Sequence, residues 1–242
     1  MSNPLEFGGR VVLMAGEPGE TGKHIAEAFL TAGATVVHCA LLQPGHLPEA
    51  AGRKASFIAM DGGDAEQIAA VIDSVTAGYG SIDVLVSITG GPHTDAGSSA
   101  DPAESDIRCG LITPLHFNQA ANRQMQQQEG GGSIINISCD DEPVTTTQPG
   151  VLAAAHAGLA NLGASLAVEW APRVRVNTIT VLLTQTEQPG TTAHSDPGVI
   201  GGSTGPIPGT TGQLPGIGNT CLFLASSLAS YISGTHVNAT EM

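Results

Sequence analysis

The eight histidines and four cysteines are the residues best able to bind a metal or to act as nucleophiles. The histidines lie at positions 24, 38, 46, 93, 116, 156, 194 and 236, and the cysteines at 39, 109, 139 and 221. No H-x-x-x-H, H-E-x-x-H or C-x-x-C spacing occurs among them, and helical zinc sites and paired thiols depend on such spacings. We therefore expect no metal site, and four reduced cysteines that serve packing.

The charged residues exclude one class of partner. The chain carries a formal net charge of −14 and only eight lysines and arginines. Because these are scattered, no basic stripe could release counterions from a phosphate backbone, and nucleic acid is not an expected partner. Asp140, Asp141 and Glu142 form an acidic run, which we interpret as a solvated loop, with an acidic rim to a cleft as the alternative.

Apolar runs alternate with amphipathic segments along most of the chain. This pattern predicts strands at residues 11–14, 35–40, 55–59, 82–88, 133–138, 174–183 and 231–238. It predicts helices at residues 24–30, 65–76, 107–128, 151–169 and 221–228. Between residues 184 and 218 the composition shifts to Gly, Pro, Thr and Ser, which predicts a mobile loop and not a second domain.

Strands that are apolar throughout and that alternate with helices indicate a parallel sheet covered on both faces. We therefore predict one α/β domain over residues 1–242, with a Rossmann-like, doubly wound sheet in three layers. No apolar run approaches the roughly 18 residues of a membrane span, and the amino terminus lacks the features of a signal peptide. The expectation is a soluble, cytoplasmic protein without a membrane partner.

Several segments resemble motifs of the short-chain dehydrogenase/reductase family. Residues 15–22, Ala-Gly-Glu-Pro-Gly-Glu-Thr-Gly, are placed like its T-G-x-x-x-G-x-G loop, and Asp61 stands where the family has an Asp after the third strand. Further matches are residues 80–86 (Gly-Ser-Ile-Asp-Val-Leu-Val), 132–138 (Gly-Ser-Ile-Ile-Asn-Ile-Ser), 174–177 (Val-Arg-Val-Asn), 223–226 (Phe-Leu-Ala-Ser) and 231–234 (Tyr-Ile-Ser-Gly). The resemblance covers essentially the whole chain and implies the family fold.

The positions that the resemblance assigns to cofactor binding depart from the family pattern. The loop keeps Gly16, Gly19 and Gly22, but Glu20 replaces the glycine nearest the dinucleotide pyrophosphate. Two like charges about 4 Å apart repel by roughly 4 kcal/mol at an intermediate dielectric, unless the carboxylate merely caps the helix. Ala40 and Leu41 stand where an Asp or Arg would select the cofactor. The N-N-A-G segment is replaced by residues 87–90, and a P-G pair by residues 181–182. We expect no cofactor on this chain.

The catalytic positions implied by the resemblance also depart from the pattern. The family uses a Ser, a Tyr thirteen residues later, a Lys four residues beyond the Tyr, and an Asn on the preceding helix. The matching positions here are Cys139, Leu152, His156 and Gly110. The only tyrosines are Tyr79 and Tyr231 and the only lysines are Lys23 and Lys54, so no Y-x-x-x-K exists in any register. The set required for hydride transfer is lost.

Two alternatives to a simple loss of function stay open. Cys139 and His156 fall at two positions that face one cleft in the family, so a thiolate–imidazole pair is geometrically conceivable. Packing roles for both residues are the simpler interpretation. Halohydrin dehalogenases, which replace the nucleotide with a halide pocket on this fold, keep a Ser and a Tyr and use an Arg, and this chain has none of the three at those positions.

The parts of the family pattern that build the oligomer are retained. In the family two long helices pair with their copies across a two-fold axis, and residues 107–128 and 151–169 keep small and apolar side chains suited to such packing. We therefore expect an inactive subunit that assembles, as a dimer or tetramer, with an active paralogue carrying NAD or NADP, with a hydroxyacyl-CoA as a possible substrate. Self-association, a cofactor-independent lyase, isomerase or dehalogenase, and a small-molecule sensor are the alternatives.

Overall fold

The structure, a computed structural model, describes residues 3–16, 19–41, 44–60, 63–89, 101–139, 149–182 and 215–240. Its strands are β1 (Val11–Ala15), β2 (Thr35–Ala40), β3 (Glu49–Ala50), β4 (Arg53–Lys54), β5 (Ser56–Ala59), β6 (Val84–Thr89), β7 (Gly132–Cys139), β8 (Val174–Leu182) and β9 (His236–Thr240). Its α-helices are α1 (Glu20–Thr31), α2 (Ala65–Tyr79), α3 (Pro102–Ile107), α4 (Thr113–Met125), α5 (Pro149–Trp170) and α6 (Pro215–Ala225).

Seven strands form one sheet in the order β5-β2-β1-β6-β7-β8-β9, and every neighbouring pair is parallel. Successive side chains of a strand point to opposite faces, so each strand contributes to two cores. Val12 and Met14 of β1 pack with α1 and α6, whereas Leu13 packs with α2, α4 and α5. The predicted three-layer, doubly wound sheet is therefore confirmed.

The helix predicted at residues 107–128 is interrupted. Helix α3 begins at Pro102, a π-helical turn follows at Arg108–Ile112, and α4 begins at Thr113. Pro114 has no N–H group to donate to a carbonyl one turn earlier, which favours an irregular turn immediately before it. π-Turns often mark functional sites, and this one contains Gly110, the position that the sequence assigns to the catalytic Asn.

The carboxyl-terminal elements differ from their predicted bounds. Helix α6 begins at Pro215 and ends at Ala225, so the last residues of the predicted loop are helical. A short 3₁₀ turn, Ser227–Ala229, follows it. The last strand begins at His236 and not at residue 231, because the backbone at Gly234 bonds to Val176 with a positive φ of 79° and Tyr231 lies fully in solvent. Residues 183–214, the main part of the predicted loop, lie outside the described residues.

Helix α5 is more apolar than the sequence interpretation allowed. Its segment Gly150–Trp170 spans 21 residues with a mean hydropathy of 1.5, long and apolar enough in composition to resemble a membrane span. The helix packs on β7 and β8, and Leu159 and Ala155 are completely buried. Only 33% of its most apolar window is buried within the chain, so much of its apolar surface faces outward.

Candidate functional site

Gly16 joins β1 to the turn before α1 and is held from both sides. Its N–H donates to the Cys39 carbonyl at 3.1 Å, and its own carbonyl accepts a hydrogen bond from His38 Nε2 at 2.8 Å. Its φ is 129°, and a Cβ at this position would lie 2.3 Å from the Ile88 carbonyl oxygen. Only glycine fits this conformation so close to neighbouring backbone.

Glu20 is the first residue of α1, and Gly19, which precedes it, offers no side-chain cap. The Glu20 carboxylate lies 3.5 Å from Lys23 Nζ and 3.9 Å from His24 Nε2, and its side chain is 68% exposed. It therefore lies along the outer surface of the first turn. Solvent screens so exposed a charge, and its repulsion of a phosphate about 4 Å away falls toward the roughly 1 kcal/mol expected in water. The loss of nucleotide affinity expected from charge alone is correspondingly smaller.

Where the resemblance places a nicotinamide dinucleotide, the described residues offer few polar side chains. Gly16 packs against the Ile88 backbone, and a Cβ at Gly22 would lie 3.4 Å from Ile88 Cδ1, so both glycines border Ile88. Ala40 is buried and Leu41 is half-buried, and neither carries a polar group for a ribose or its phosphate. Asp61 and Gly90 lie outside the described residues. We derive no chemical step through a bound cofactor.

Three of the four catalytic positions come together where the π-turn packs on α5. A Cβ at Gly110 would lie 2.8 Å from Ala155 Cβ and 3.7 Å from both Leu152 Cδ1 and His156 Cδ2. Leu152 is buried with 6% of its surface exposed, and His156 is half-buried. The sequence placed these residues in one site, and the structure brings them together. Of the three, only His156 can exchange a proton.

Cys139 ends β7 with its thiol directed toward α1. Its Sγ lies 3.2 Å from Thr21 Oγ1, and the residue is buried with 2% of its surface exposed. Cys139 belongs to the apolar cluster of β1, α1 and α6, which also includes Ile88, Val181 and Ile217. The thiol thus takes part in packing between the sheet and α1. The acidic residues Asp140, Asp141 and Glu142 lie outside the described residues.

His38 is a site residue that the sequence reasoning missed. It is 1% exposed in β2, where its Nε2–H donates to the Gly16 carbonyl and its ring lies edge-on to Phe57. Burial lowers the pKa of His38 below its ordinary value, although the hydrogen bond to Gly16 opposes part of that shift. A polar residue inside an otherwise apolar strand was the available signal.

Two further thiols, those of Cys39 and Cys221, give little reactive chemistry. Cys39 and Cys221 are completely buried, and burial raises the pKa of the Cys39 thiol to about 12 and that of Cys221 as well. A thiol must ionise to act as a nucleophile, so neither is reactive near neutral pH. Within the described ranges, no group of three His, Cys, Asp or Glu side chains could hold a metal ion.

The chain is similar to a family model, to several named oxidoreductases and to solved structures. A family model described as enoyl-(acyl carrier protein) reductase matches residues 20–239. The D-threitol dehydrogenase of Mycolicibacterium smegmatis is 32% identical over 73% of this chain and 72% of its own. The 3-oxoacyl-[acyl-carrier-protein] reductase of Salmonella typhimurium is 28% identical over 97% of this chain and 98% of its own. The structure of a short-chain type dehydrogenase/reductase from Mycobacterium marinum superposes with a TM-score of 0.74 at 22% identity, covering 98% of this chain and 95% of that one.

Proposed function

The chain belongs to the short-chain dehydrogenase/reductase family of oxidoreductases, and we propose that within it this protein is a catalytically inactive structural subunit. It assembles with an active paralogue into a heteromeric NAD(P)-dependent dehydrogenase. The observation that carries the proposal is the packing of Gly110 against Ala155, Leu152 and His156. Where the family's catalytic set would meet, this chain has a glycine packed against two aliphatic side chains and the imidazole of His156.

Hydride transfer to a carbonyl requires a group that donates a proton to the developing alkoxide. Leu152 has no such proton, and Gly110 has no side chain at all. The Cys139 thiol, at the position of the family's Ser, is bonded to Thr21 and buried in the apolar cluster. His156 is left as the one titratable side chain of the gathered set, and it alone would have to replace the proton donor and the other polar groups that the family uses.

The outward face of α5 supports assembly with another chain. Ala153, Ala154, Ala157 and Ser165 are exposed, and Val168 is 81% exposed. Small side chains let two helix backbones approach closely, and a two-fold or pseudo-two-fold axis would pair this face with its counterpart. The apolar character of the helix, with only 33% of its most apolar window buried, supports a partner on this face.

The names of the relatives support a proposal for the chemistry of the partner. One relative that matches nearly the whole chain acts, by its name, on a 3-oxoacyl group carried by a protein. We therefore propose that the active paralogue reduces a 3-oxoacyl thioester or oxidises the corresponding hydroxyacyl thioester, including a hydroxyacyl-CoA. None of the four cysteines, all of which the structure describes, forms a disulfide, which fits a reducing cytoplasm where such complexes would work.

Native mass spectrometry of the protein isolated gently from its own cells tests this proposal. We expect a mixed dimer or tetramer in which nucleotide accompanies the partner chain only. A homo-oligomer that retains nucleotide through desalting would contradict it. Activity of the reconstituted mixed complex should survive Cys139→Ala and His156→Ala in this chain, because neither residue has a chemical role in it.

The alternative is a cofactor-independent enzyme or a small-molecule sensor that uses His156. The half-buried imidazole beside Gly110 is the one observation that favours it. The two alanine variants separate the hypotheses, since an enzyme should lose its turnover and a sensor its ligand affinity, whereas a scaffold should be indifferent. A protein that assembles only with copies of itself in cells would favour this alternative.

A further inference from the structure

The face of the sheet beneath α4 and α5 changes from aliphatic to polar along the strands. Leu85, Ile134 and Val176 lie side by side on β6, β7 and β8 and belong to the apolar core of that face. The next row on the same face is Ser87, Asn136 and Thr178, and the row after it is Thr89, Ser138 and Thr180. Two consecutive rows of the sheet interior are therefore polar throughout.

Several of these side chains have polar atoms without a hydrogen-bond partner in the part of the chain that the structure describes. Both amide atoms of Asn136 and the hydroxyls of Ser138 and Thr178 are in this state, and none of the three residues is more than 1% exposed. Asn118 of α4, which packs on β6 and β7, is fully buried with both amide atoms unpartnered as well. Native interiors rarely leave such groups unpaired, so each of these requires an explanation.

Helix α5 covers this polar layer closely. A Cβ at Gly163 would lie 2.6 Å from Thr178 Oγ1 and 3.7 Å from Asn136 Nδ2, so the glycine brings the helix backbone down onto both residues. Towards the sheet edge, Thr180 Oγ1 forms a 2.8 Å hydrogen bond with Nε2 of His236 on β9, and His236 is exposed. The layer is thus closed above by α5 and leads laterally to solvent.

We propose that Asn118, Asn136, Ser138 and Thr178 form an internal binding site for a cluster of ordered water molecules between the sheet and helices α4 and α5. A carboxamide offers two N–H donors and an acceptor oxygen, and a hydroxyl offers one donor and two lone pairs. Buried waters typically make about three hydrogen bonds to such otherwise unsatisfied groups. All four side chains are neutral, so the site suits a small uncharged ligand that both donates and accepts.

The waters fix the position of α4 on the sheet. Asn118 belongs to α4, whereas Asn136, Ser138 and Thr178 belong to β7 and β8, so a bridging water joins a helix to the sheet. Small side chains alone would let the helices slide, because packing of this kind is not directional. Hydrogen bonds are directional, so a layer of bridging waters would hold the helix at one position on the sheet.

The proposal is tested by whether Thr178→Val lowers or raises the melting temperature. Thr178→Val removes one hydroxyl at nearly constant volume. If waters bind there, they lose a partner and the full-length protein melts about 2–4 °C lower. If the hydroxyl is dry and unpaired, its removal raises the melting temperature. Thr180→Val is the control, because it deletes a hydroxyl that is hydrogen-bonded to His236. It should lower the melting temperature whether or not waters bind at Thr178.

A second measurement detects the waters themselves. Magnetisation transfer from water to the side-chain amides of Asn118 and Asn136 should be observed by NMR, with the sign of long-lived contacts. Ser138→Ala should weaken the transfer to Asn136. A higher melting temperature for Thr178→Val, or no transfer to either amide, would overturn the proposal.

Discussion

The backbone of Gly110 packs directly against the side chain of Ala155. A Cβ at Gly110 would lie only 2.8 Å from the Ala155 Cβ. The family's Asn cannot be placed at this position without moving the π-turn or α5. Loss of the amide is therefore accommodated by the packing around it, and the site is closed by contacts between helices. This packing supports the proposal that the chain does not catalyse hydride transfer.

Gly110→Ala should destabilise the protein. Overpacking of a well-filled interior costs about 1–3 kcal/mol, because the extra methyl forces the π-turn away from α5. Equilibrium urea unfolding measures the change. Gly78→Ala is the matched control, since Gly78 lies in α2 with nothing within 4 Å of its Cβ position. It should be neutral or stabilise by about 0.4–1 kcal/mol. Equal stability of the two variants would contradict the packing.

Glu20→Gly should increase the affinity for a nicotinamide dinucleotide. The carboxylate is exposed, so removal of a charge about 4 Å from a phosphate gains roughly 1 kcal/mol, or about fivefold in the dissociation constant. Titration calorimetry measures it. Glu20→Gln separates charge from bulk, and Glu27→Gln on the same helix is the control. An unchanged affinity in Glu20→Gly would mean that the low affinity for the dinucleotide comes mainly from Ala40, Leu41 and Ile88.

The stability of the protein should fall as the pH drops below about 6.5, the ordinary pKa of histidine. Burial lowers the pKa of His38, so the unfolded chain binds the proton more readily and protonation favours unfolding. The stabilisation that neutral His38 provides is complete above the pKa that this residue has in the unfolded chain. It is lost as the pH falls through the lower pKa of His38 in the folded protein. The pKa of His236 is lowered too and acts with the same sign. Urea unfolding between about pH 8 and pH 5 should give a flatter profile for His38→Gln.

Ala157→Arg should prevent assembly without unfolding the chain. Ala157 lies on the exposed face of α5, where a guanidinium would keep two helix backbones apart. Ala77→Arg, at an equally exposed alanine of α2, is the matched control and should assemble normally. Sedimentation velocity of the mixed complex reports the outcome. Normal assembly of Ala157→Arg would place the interface elsewhere.

Much of the fold could be predicted from the sequence because its strands contain short apolar runs that alternate with amphipathic helical segments. Strand β2 has the predicted bounds, and β1, β6, β7 and β8 differ by one or two residues at either end. The π-turn could not be predicted, since it arises from Pro114 together with the close approach of Gly110 to α5. The last strand was placed too early because apolar residues at 231–232 imitate one, although Tyr231 lies in solvent.

The candidate site could be predicted in part. The resemblance to the family assigned Leu152, His156 and Gly110 to one site, and the structure brings these three residues together. The direction of the Cys139 side chain follows from strand alternation, since Cys139 is in phase with Ile135 and Ile137. The bond between His38 and Gly16 could not be foreseen, because it joins residues on two strands through a backbone carbonyl.

The central claim is that this chain alone does not transfer hydride. The most direct measurement follows nicotinamide absorbance with the purified homomeric protein, NADH or NADPH, and a 3-oxoacyl thioester, alongside the same chain mixed with its active paralogue. The account predicts no turnover above the uncatalysed rate for the chain alone, and turnover in the mixture that is unaffected by His156→Ala in this chain. Turnover by the homomeric protein that His156→Ala abolishes would contradict it.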